Sequence, residues 1–560
     1  MMTDFCRLPG LMSIKCGWSR QCSRHRTYFP ERSAKIKSMK ERAAYLIEKL
    51  LAFGLANGMI SEHDVIWTRN QLLDLLALEE PYPQPVDLET FDVPETATPV
   101  LEELLDYAVR CGIIPEDTLT HRDLFDTRIM GLLMPRPSEI ISRFEMLKKE
   151  KGIKEATRYF YDLCRKSDYI RVNRIARNIK WQHDSEFGQL EITINLTKPE
   201  KDPREIAALK QAPQVGYPKC VLCLENVGYA GRINHPARQT LRVLPVELQG
   251  ERWYFQYSPY VYYNEHCIVL SHEHIPMKIT RKTFARLFDF LKLFPHYFIG
   301  SNADLPIVGG SILNHDHFQG GYHIFPMEKA PIEYNLKCED YPDMDIGIVH
   351  WPMSVVRITH HKPEFIVDLA DKLLNLWKSY SDPVAEILSH STEKNGEKVP
   401  HNTVTPIARM TDDGRYQLDM VFRNNRTSEE HPMGIFHPHQ ELHHIKKENI
   451  GLIEVMGLFI LPGRLSTELD AIKDILTGKK LINDDIYSEA HPLNKHLGWI
   501  KCLLKMYGNN LDDEAAQRAI RDAVGQKCVQ VLHHSGVFKA TEDGRRAFNR
   551  FLQTAGIKLA

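Results

Sequence analysis

Hydrophobic positions divide the chain into two textures. From Lys40 to about Trp181 they recur at helical spacing. Tyr45, Leu46, Leu50 and Phe53 form an apolar stripe beside solvated charges such as Lys49, and Gly54 and Gly58 weaken its end. Ser61 followed by Asp64 reads as a helix N-cap with an acidic first turn, leading into a helix over Val65 to Leu76. Pro81 to Pro99 is proline-rich and reads as an extended linker. Further helices are predicted over Pro99 to Val109, Ser138 to Lys149 and Lys154 to Lys166.

The texture changes near Gln189. Ile192, Ile194 and Leu196 alternate with Glu191, Thr193 and Asn195, the pattern of a half-buried strand. Trp253 to Tyr263 and Cys267 to Ser271 are aromatic and β-branched and read as strands, and Thr283 to Tyr297 reads as a helix. A second mixed stretch has a strand over Val349 to Ile358, a helix over Pro363 to Tyr380, a hairpin turn at Asp412-Asp413-Gly414, and helices after Asn449. His437, His439, His443 and His444 cluster here and read as part of a substrate pocket, a second metal site or a solvated loop.

The expected fold is therefore α+β: a mixed-sheet core, with two related halves left open, preceded by a helical region. The expected division is 1–38, a disordered extension or a stretch upstream of a true start at Met39; 39–185, helical; 186–340, a catalytic α+β domain; and 341–560, a C-terminal α+β domain. The first 38 residues carry eight basic side chains against Asp4 and Glu31, so a transit peptide is a further reading.

Composition narrows the function. A formal net charge of -2 gives no global attraction to nucleic acid or anionic lipid. The apolar run Ile450 to Leu461 is too short to span a bilayer and is broken by Glu454. Eleven cysteines without a secretory signal point to a reducing, cytoplasmic setting. The 26 histidines are the unusual feature and direct attention to metal or phosphoryl chemistry.

Asp304 to Gly321 reads DLPIVGGSILNHDHFQGG. Gly309 and Gly310 allow backbone N–H groups to approach a phosphate, and Ser311 adds a hydroxyl. If the following residues form a strand, His315, His317 and Gln319 share one face. A neutral imidazole at His317 can attack phosphorus, splitting one group transfer into two easier steps. His315 can hold the geometry or bind a metal. Gln319 can donate a neutral hydrogen bond to a phosphoryl oxygen but cannot protonate a leaving group. A histidine there would suit a hydrolase; glutamine suits a leaving group already stable as an anion, such as a sugar phosphate. A His-x-His pair that only ligates a metal or decorates the surface is the bland alternative.

Cys220 and Cys223 form half of a zinc-type ligand set, with His272, His274 and His315 as candidates to complete it. Two buried thiols or a redox pair fit the cysteines as well. Arg232, Asn234 and Arg238 follow in a loop with Gly228 and Gly231 and suit phosphate contacts. A zinc-dependent nucleic-acid binder built on these residues is disfavoured by the near-neutral charge.

The 304–321 segment resembles the signature of the class II galactose-1-phosphate uridylyltransferases. The similarity extends to Cys220–Pro236 (CVLCLENVGYAGRINHP) and Tyr257–Met277 (YSPYVYYNEHCIVLSHEHIPM) and covers most of the chain from Met39. It implies a histidine-triad-like core and a ping-pong exchange. UDP-glucose gives its uridylyl group to His317 and releases glucose 1-phosphate, and galactose 1-phosphate then takes the group. A related transferase or phosphorylase using the same histidine on another nucleotide sugar or dinucleotide is the alternative. The ligand order of the class I relatives implies a structural zinc on Cys220, Cys223, His274 and His315. The resemblance further implies a homodimer and no organic cofactor. Asn314 departs from the small residue usual in the signature.

Overall fold

The computed structural model describes residues 30–197, 215–392, 396–482 and 484–560. The expectation for residues 1–29 lies outside them, whereas 30–38 open a helix that spans Pro30–Ala56. The helical region continues through Val65–Leu75, Thr98–Arg110, Leu119–Gly131, Pro137–Lys151 and Ile153–Lys166. Leu119–Gly131 has no matching expectation from the sequence: its buried Phe125, Ile129 and Met130 alternate with buried Asp126 and Thr127, which obscures the apolar stripe.

The strands are β1 (Ile179–Ser185), β2 (Gly188–Asn195), β3 (Leu244–Leu248), β4 (Glu251–Tyr257), β5 (Cys267–Ser271), β6 (Phe298–Gly300), β7 (His317–Gly321), β8 (Ile332–Cys338), β9 (Asp345–Val349), β10 (Val355–His360), β11 (His390–Thr392), β12 (Lys398–Pro400), β13 (Asn402–Met410), β14 (Tyr416–Asn424), β15 (Leu458–Pro462) and β16 (Ile557–Leu559). Two sequence expectations change. The run expected as one strand over Trp253 to Tyr263 stops at Tyr257, because Pro259 has no N–H for the ladder. The strand expected over Val349 to Ile358 is two, β9 and β10, separated where Pro352 breaks the chain direction.

Eleven strands form one antiparallel sheet in the order β16-β8-β9-β10-β14-β13-β6-β7-β5-β4-β3. Two halves repeat within it. The first runs β3, β4, β5, the helix Arg281–Leu293, β6, β7; the second runs β8, β9, β10, the helix Pro363–Ser379, β13, β14. Each half has the same spatial order, β6-β7-β5-β4-β3 and β13-β14-β10-β9-β8, and the two join where β6 pairs with β13. The α+β expectation holds, and the strand order supplies the two alike halves that the sequence left open, the second beginning at Ile332.

One core lies where these two helices and the helical region cover one sheet face. Phe160 packs on Phe255 and Tyr257, and Trp377 on Phe422 and Phe551. A second core covers the opposite face, chiefly over the second half, with a small sheet β1-β2-β15 and the helices Leu465–Leu476 and Asp513–Ser535. On that face the first half presents His317 and Gln319. No helix among the described residues is long and apolar enough to cross a membrane.

Candidate active site

Cys220 and Cys223 sit in a tight turn before β3. Cys223 N–H donates to the Cys220 carbonyl, and the Asn226 amide donates to the carbonyls of both cysteines at 2.8 Å. The two sulfurs are 3.6 Å apart. His274 follows β5 and brings Nδ1 to 3.1 Å from Cys223 Sγ; His315 brings Nδ1 to 3.3 Å from Cys220 Sγ. All four ligand atoms lie within 4.8 Å of one another. His272 is exposed and turns towards Tyr254 instead. His315 Nε2 donates to the Ser271 carbonyl at 2.9 Å, which leaves the Nδ1 lone pair facing the sulfurs. Such second contacts orient a metal-bound imidazole. Two thiolates and two imidazoles at this spacing fit a tetrahedral ion and can hold one.

His315 precedes β7, so it turns to the cysteines, while β7 begins at His317. The sequence expectation of three polar groups on one strand face therefore divides. His317 pairs with Leu270 and Gln319 with Ile268 on β5, which puts His317 and Gln319 on one face and His315 in the neighbouring cysteine–histidine cluster. His317 Nδ1 lies 2.8 Å from the His315 carbonyl and donates to it. The tautomer is thereby set, and the Nε2 lone pair remains for chemistry. Burial holds the His317 imidazole neutral, its pKa pushed down to about 4.

Behind β7, Asp316 points the other way and accepts from Arg286 at 3.3 Å. Burial raises the Asp316 pKa to about 6. The Arg286 guanidinium lies over the Trp253 ring, which stacks on Phe318 at 4.9 Å. This pile clamps the strand from its core side.

The loop before the histidines is crowded. A Cβ on Gly309 would come within 2.5 Å of the Ala303 and Leu305 carbonyl oxygens, so only glycine fits. Val308 N–H donates to the Pro306 carbonyl across Ile307, whose φ is 71°, a costly conformation for a β-branched residue. Gly310 abuts the Asn302 amide, and Ser311 is exposed. Asn314 is exposed as well, so the departure from the signature falls on a solvent-facing side chain.

Arg232 donates to the Asn234 amide oxygen, the Tyr229 hydroxyl and the carbonyls of Tyr217 and Val215. Its guanidinium thus ties down the segment around the cysteine turn. Arg238 lies over the Tyr169 ring and lines a cavity of about 180 Å³ with Tyr260.

Two family models match the chain: the galactose-1-phosphate uridyl transferase N-terminal domain over residues 58–276, and its C-terminal domain over 290–478. A galactose-1-phosphate uridylyltransferase of Caldanaerobacter subterraneus subsp. tengcongensis is 58% identical over 92% of this chain and 98% of its own length. Proteins of the same name from Clostridium acetobutylicum and Bacillus subtilis are 52% and 48% identical over 90% and 91% of this chain, and over 98% of each relative. The chain belongs to the galactose-1-phosphate uridylyltransferase family. The crystal structure of the yeast Ap4A phosphorylase Apa2 aligns over 52% of this chain and 80% of that one, with 12% identity and a TM-score of 0.26.

In this uridylyltransferase family member the second histidine cluster follows β14 in a loop, not on a strand. His431, His439 and His534 stack, with ring centroids 3.9 and 4.1 Å apart. Glu441 joins His439 and His534 as a group close enough to share an ion. However, His534 Nδ1 accepts from the His439 backbone N–H, which leaves the proton on Nε2, the nitrogen facing Glu441. A hydrogen-bonded cluster suits that tautomer better than metal ligation. His437 is buried with Nε2 unpartnered and packs on Gly434, which itself abuts Ile307 of the crowded loop. His444 Nδ1 hydrogen-bonds His496 Nδ1 at 2.7 Å, and His496 Nε2 reaches Glu468 at 3.0 Å.

Two features of the site have no counterpart among the sequence expectations: the Arg286–Asp316 pair and His266. The signal for the first is Asp316 itself: an acidic residue between two histidines on a buried strand needs a partner.

Proposed function

We propose that this protein exchanges a uridylyl group between UDP-glucose and galactose 1-phosphate through His317. The observation that carries this reading is the buried, neutral imidazole whose Nδ1–H is held by the His315 carbonyl beside Gln319. In the first step Nε2 forms a bond to the α-phosphorus of UDP-glucose, and the bond from that phosphorus to the bridging oxygen breaks. Glucose 1-phosphate departs as an anion and needs no proton, which matches a glutamine at 319. Nδ1 keeps its proton on the His315 carbonyl throughout. In the second step a phosphate oxygen of galactose 1-phosphate attacks the same phosphorus, forming UDP-galactose and returning the lone pair to Nε2. The Gln319 amide donates to the phosphoryl oxygens as charge builds on them. The Gly309-Gly310-Ser311 loop and Arg238 contact the nucleotide and sugar phosphates, while Arg232 and Asn234 shape the wall on which they rest.

The ion held by Cys220, Cys223, His274 and His315 is zinc in this reading. When bound it supplies a structural clamp rather than a reacting group. The protein works in the cytoplasm, where the thiols stay reduced. It forms a homodimer in this reading, as the family resemblance implies.

Incubation with UDP-glucose labelled in the uridine tests the central step. Acid-labile, base-stable label is expected on the protein, absent in His317→Ala and discharged by galactose 1-phosphate. Product formation without protein-bound label would refute the covalent route. Label that galactose 1-phosphate leaves in place would point to another acceptor.

A further inference from the structure

His266 lies immediately before β5 and is 3% exposed. Neither of its ring nitrogens has a hydrogen-bond partner. Such a buried imidazole is uncommon, because a buried polar group without a partner is costly. Its place is tightly set. The ring packs between Tyr262 and Tyr263, with centroids 5.6 and 4.5 Å away. Its carbonyl accepts from Ser258 N–H at 2.7 Å, and its own N–H donates to the Tyr263 carbonyl.

The group it faces is Gln319. Ile268 on β5 pairs directly with Gln319 on β7, so His266, two residues earlier, is the diagonal neighbour on the same sheet face. The Gln319 oxygen Oε1 is itself buried and unpartnered. A buried acceptor short of a donor therefore stands beside a buried imidazole short of an acceptor.

We infer that His266 is a positioning residue for Gln319: its ring N–H takes the amide oxygen, and the amide NH2 is thereby turned towards the phosphoryl group on His317. An amide left free to flip would present its oxygen to the phosphoryl oxygens about as readily as its NH2, and that contact repels. With Oε1 held, only the donor faces the reaction. Burial keeps His266 neutral, its pKa pushed down to about 3, so one ring N–H is present without a charge in the site. The inference rests on the proposed role of Gln319 and goes beyond it, since His266 itself touches no reacting atom.

Single-turnover uridylylation and steady-state exchange test it in the full-length protein. His266→Phe keeps the ring between the two tyrosines and removes the donor. Gln319→Ala is expected to lower kcat by about 100-fold. His266→Phe is expected to lower it by roughly 10-fold with KM little changed, since an amide that must find its orientation loses part of that effect. The double variant should be no slower than Gln319→Ala alone, because His266 acts through Gln319. His266→Asn and His266→Gln place an amide nitrogen near the Nδ1 and Nε2 positions respectively, and one of them should recover most of the loss.

Additive losses in the double variant, full activity in His266→Phe, or no recovery by either amide would overturn the inference. Melting temperatures are read alongside. Should His266→Phe not fold, the two amide variants decide: one near the parent rate supports the inference, and both at the Gln319→Ala rate overturn it. A fully active Gln319→Ala would remove the role of Gln319 itself, a different failure from an active His266→Phe beside a slow Gln319→Ala.

Discussion

His317 Nδ1 is 2.8 Å from the carbonyl oxygen of His315, and the side chain of that same His315 reaches Cys220 Sγ at 3.3 Å. One residue thus links the candidate metal site to the proposed nucleophile. Its imidazole sits against the cysteines, and its backbone carbonyl chooses the tautomer of the His317 ring. No flexible spacer lies between the two centres.

Removal of the proposed nucleophile should be felt in chemistry and not in folding. His317→Ala is expected to lose at least roughly four orders of magnitude in kcat. Initial-rate assays give that number, and a melting curve close to the parent's would show that the fold is intact.

Loss of the metal cluster should be felt in both. Cys220→Ala removes one of four ligands and frees His315 from the sulfur that orients it. Elemental analysis should find stoichiometric zinc in the parent and little in the variant. The melting temperature should fall by about 5 °C or more, and activity should fall with it. Stoichiometric zinc absent from both proteins would remove the zinc assignment.

The centre of the sheet leaves no room at Gly320. A Cβ there would lie 2.6 Å from the Phe298 carbonyl oxygen and 2.9 Å from Ile299 Cδ1. Gly320→Ala must push β6 away from β7, at a cost of about 1–3 kcal/mol. Denaturant unfolding would measure the loss. Activity should drop too, since Gln319 is the adjacent residue.

The pH dependence of stability should carry a histidine contribution. Burial pushes the His437 pKa from 6.5 down to about 4. A folded-state value below the unfolded one means that the contribution is fully present above pH 6.5. It is lost as pH falls from there towards 4. Between pH 7 and pH 5 the loss is about 2 kcal/mol. Asp168, raised to about 7, and Asp316, raised to about 6, act in the opposite sense, so the test is a difference. His437→Phe should be less destabilised than the parent over that range by about this amount, as read by unfolding at each pH. Equal slopes for the two proteins would contradict it.

Much of the site is legible in the chain itself. Strand alternation places His317 and Gln319 together, and a glutamine in place of a third histidine is the feature on which the transferase reading rests. The Cys-x-x-Cys spacing announces half of a ligand set. What is not legible depends on contacts far apart in sequence. His274 and His272 are chemically alike, and only the turn after β5 sends one to Cys223 and the other to solvent. Arg232 has the chemistry of a phosphate ligand, yet its donors are engaged by Val215, Tyr217, Tyr229 and Asn234.

By itself, the sequence determined local conformation and chemical capacity. Periodicity specified helices and strands because each must present one apolar face, and the motif specified the reactive groups available to the site because those follow from side-chain chemistry. Tertiary structure alone decided orientation. The repeat of two five-stranded halves, the turning of His315 and His317 to different surroundings, and the placing of His266 diagonal to Gln319 all depend on strand order and register. Those are set by which apolar faces pack together across hundreds of residues, and no local pattern encodes that choice.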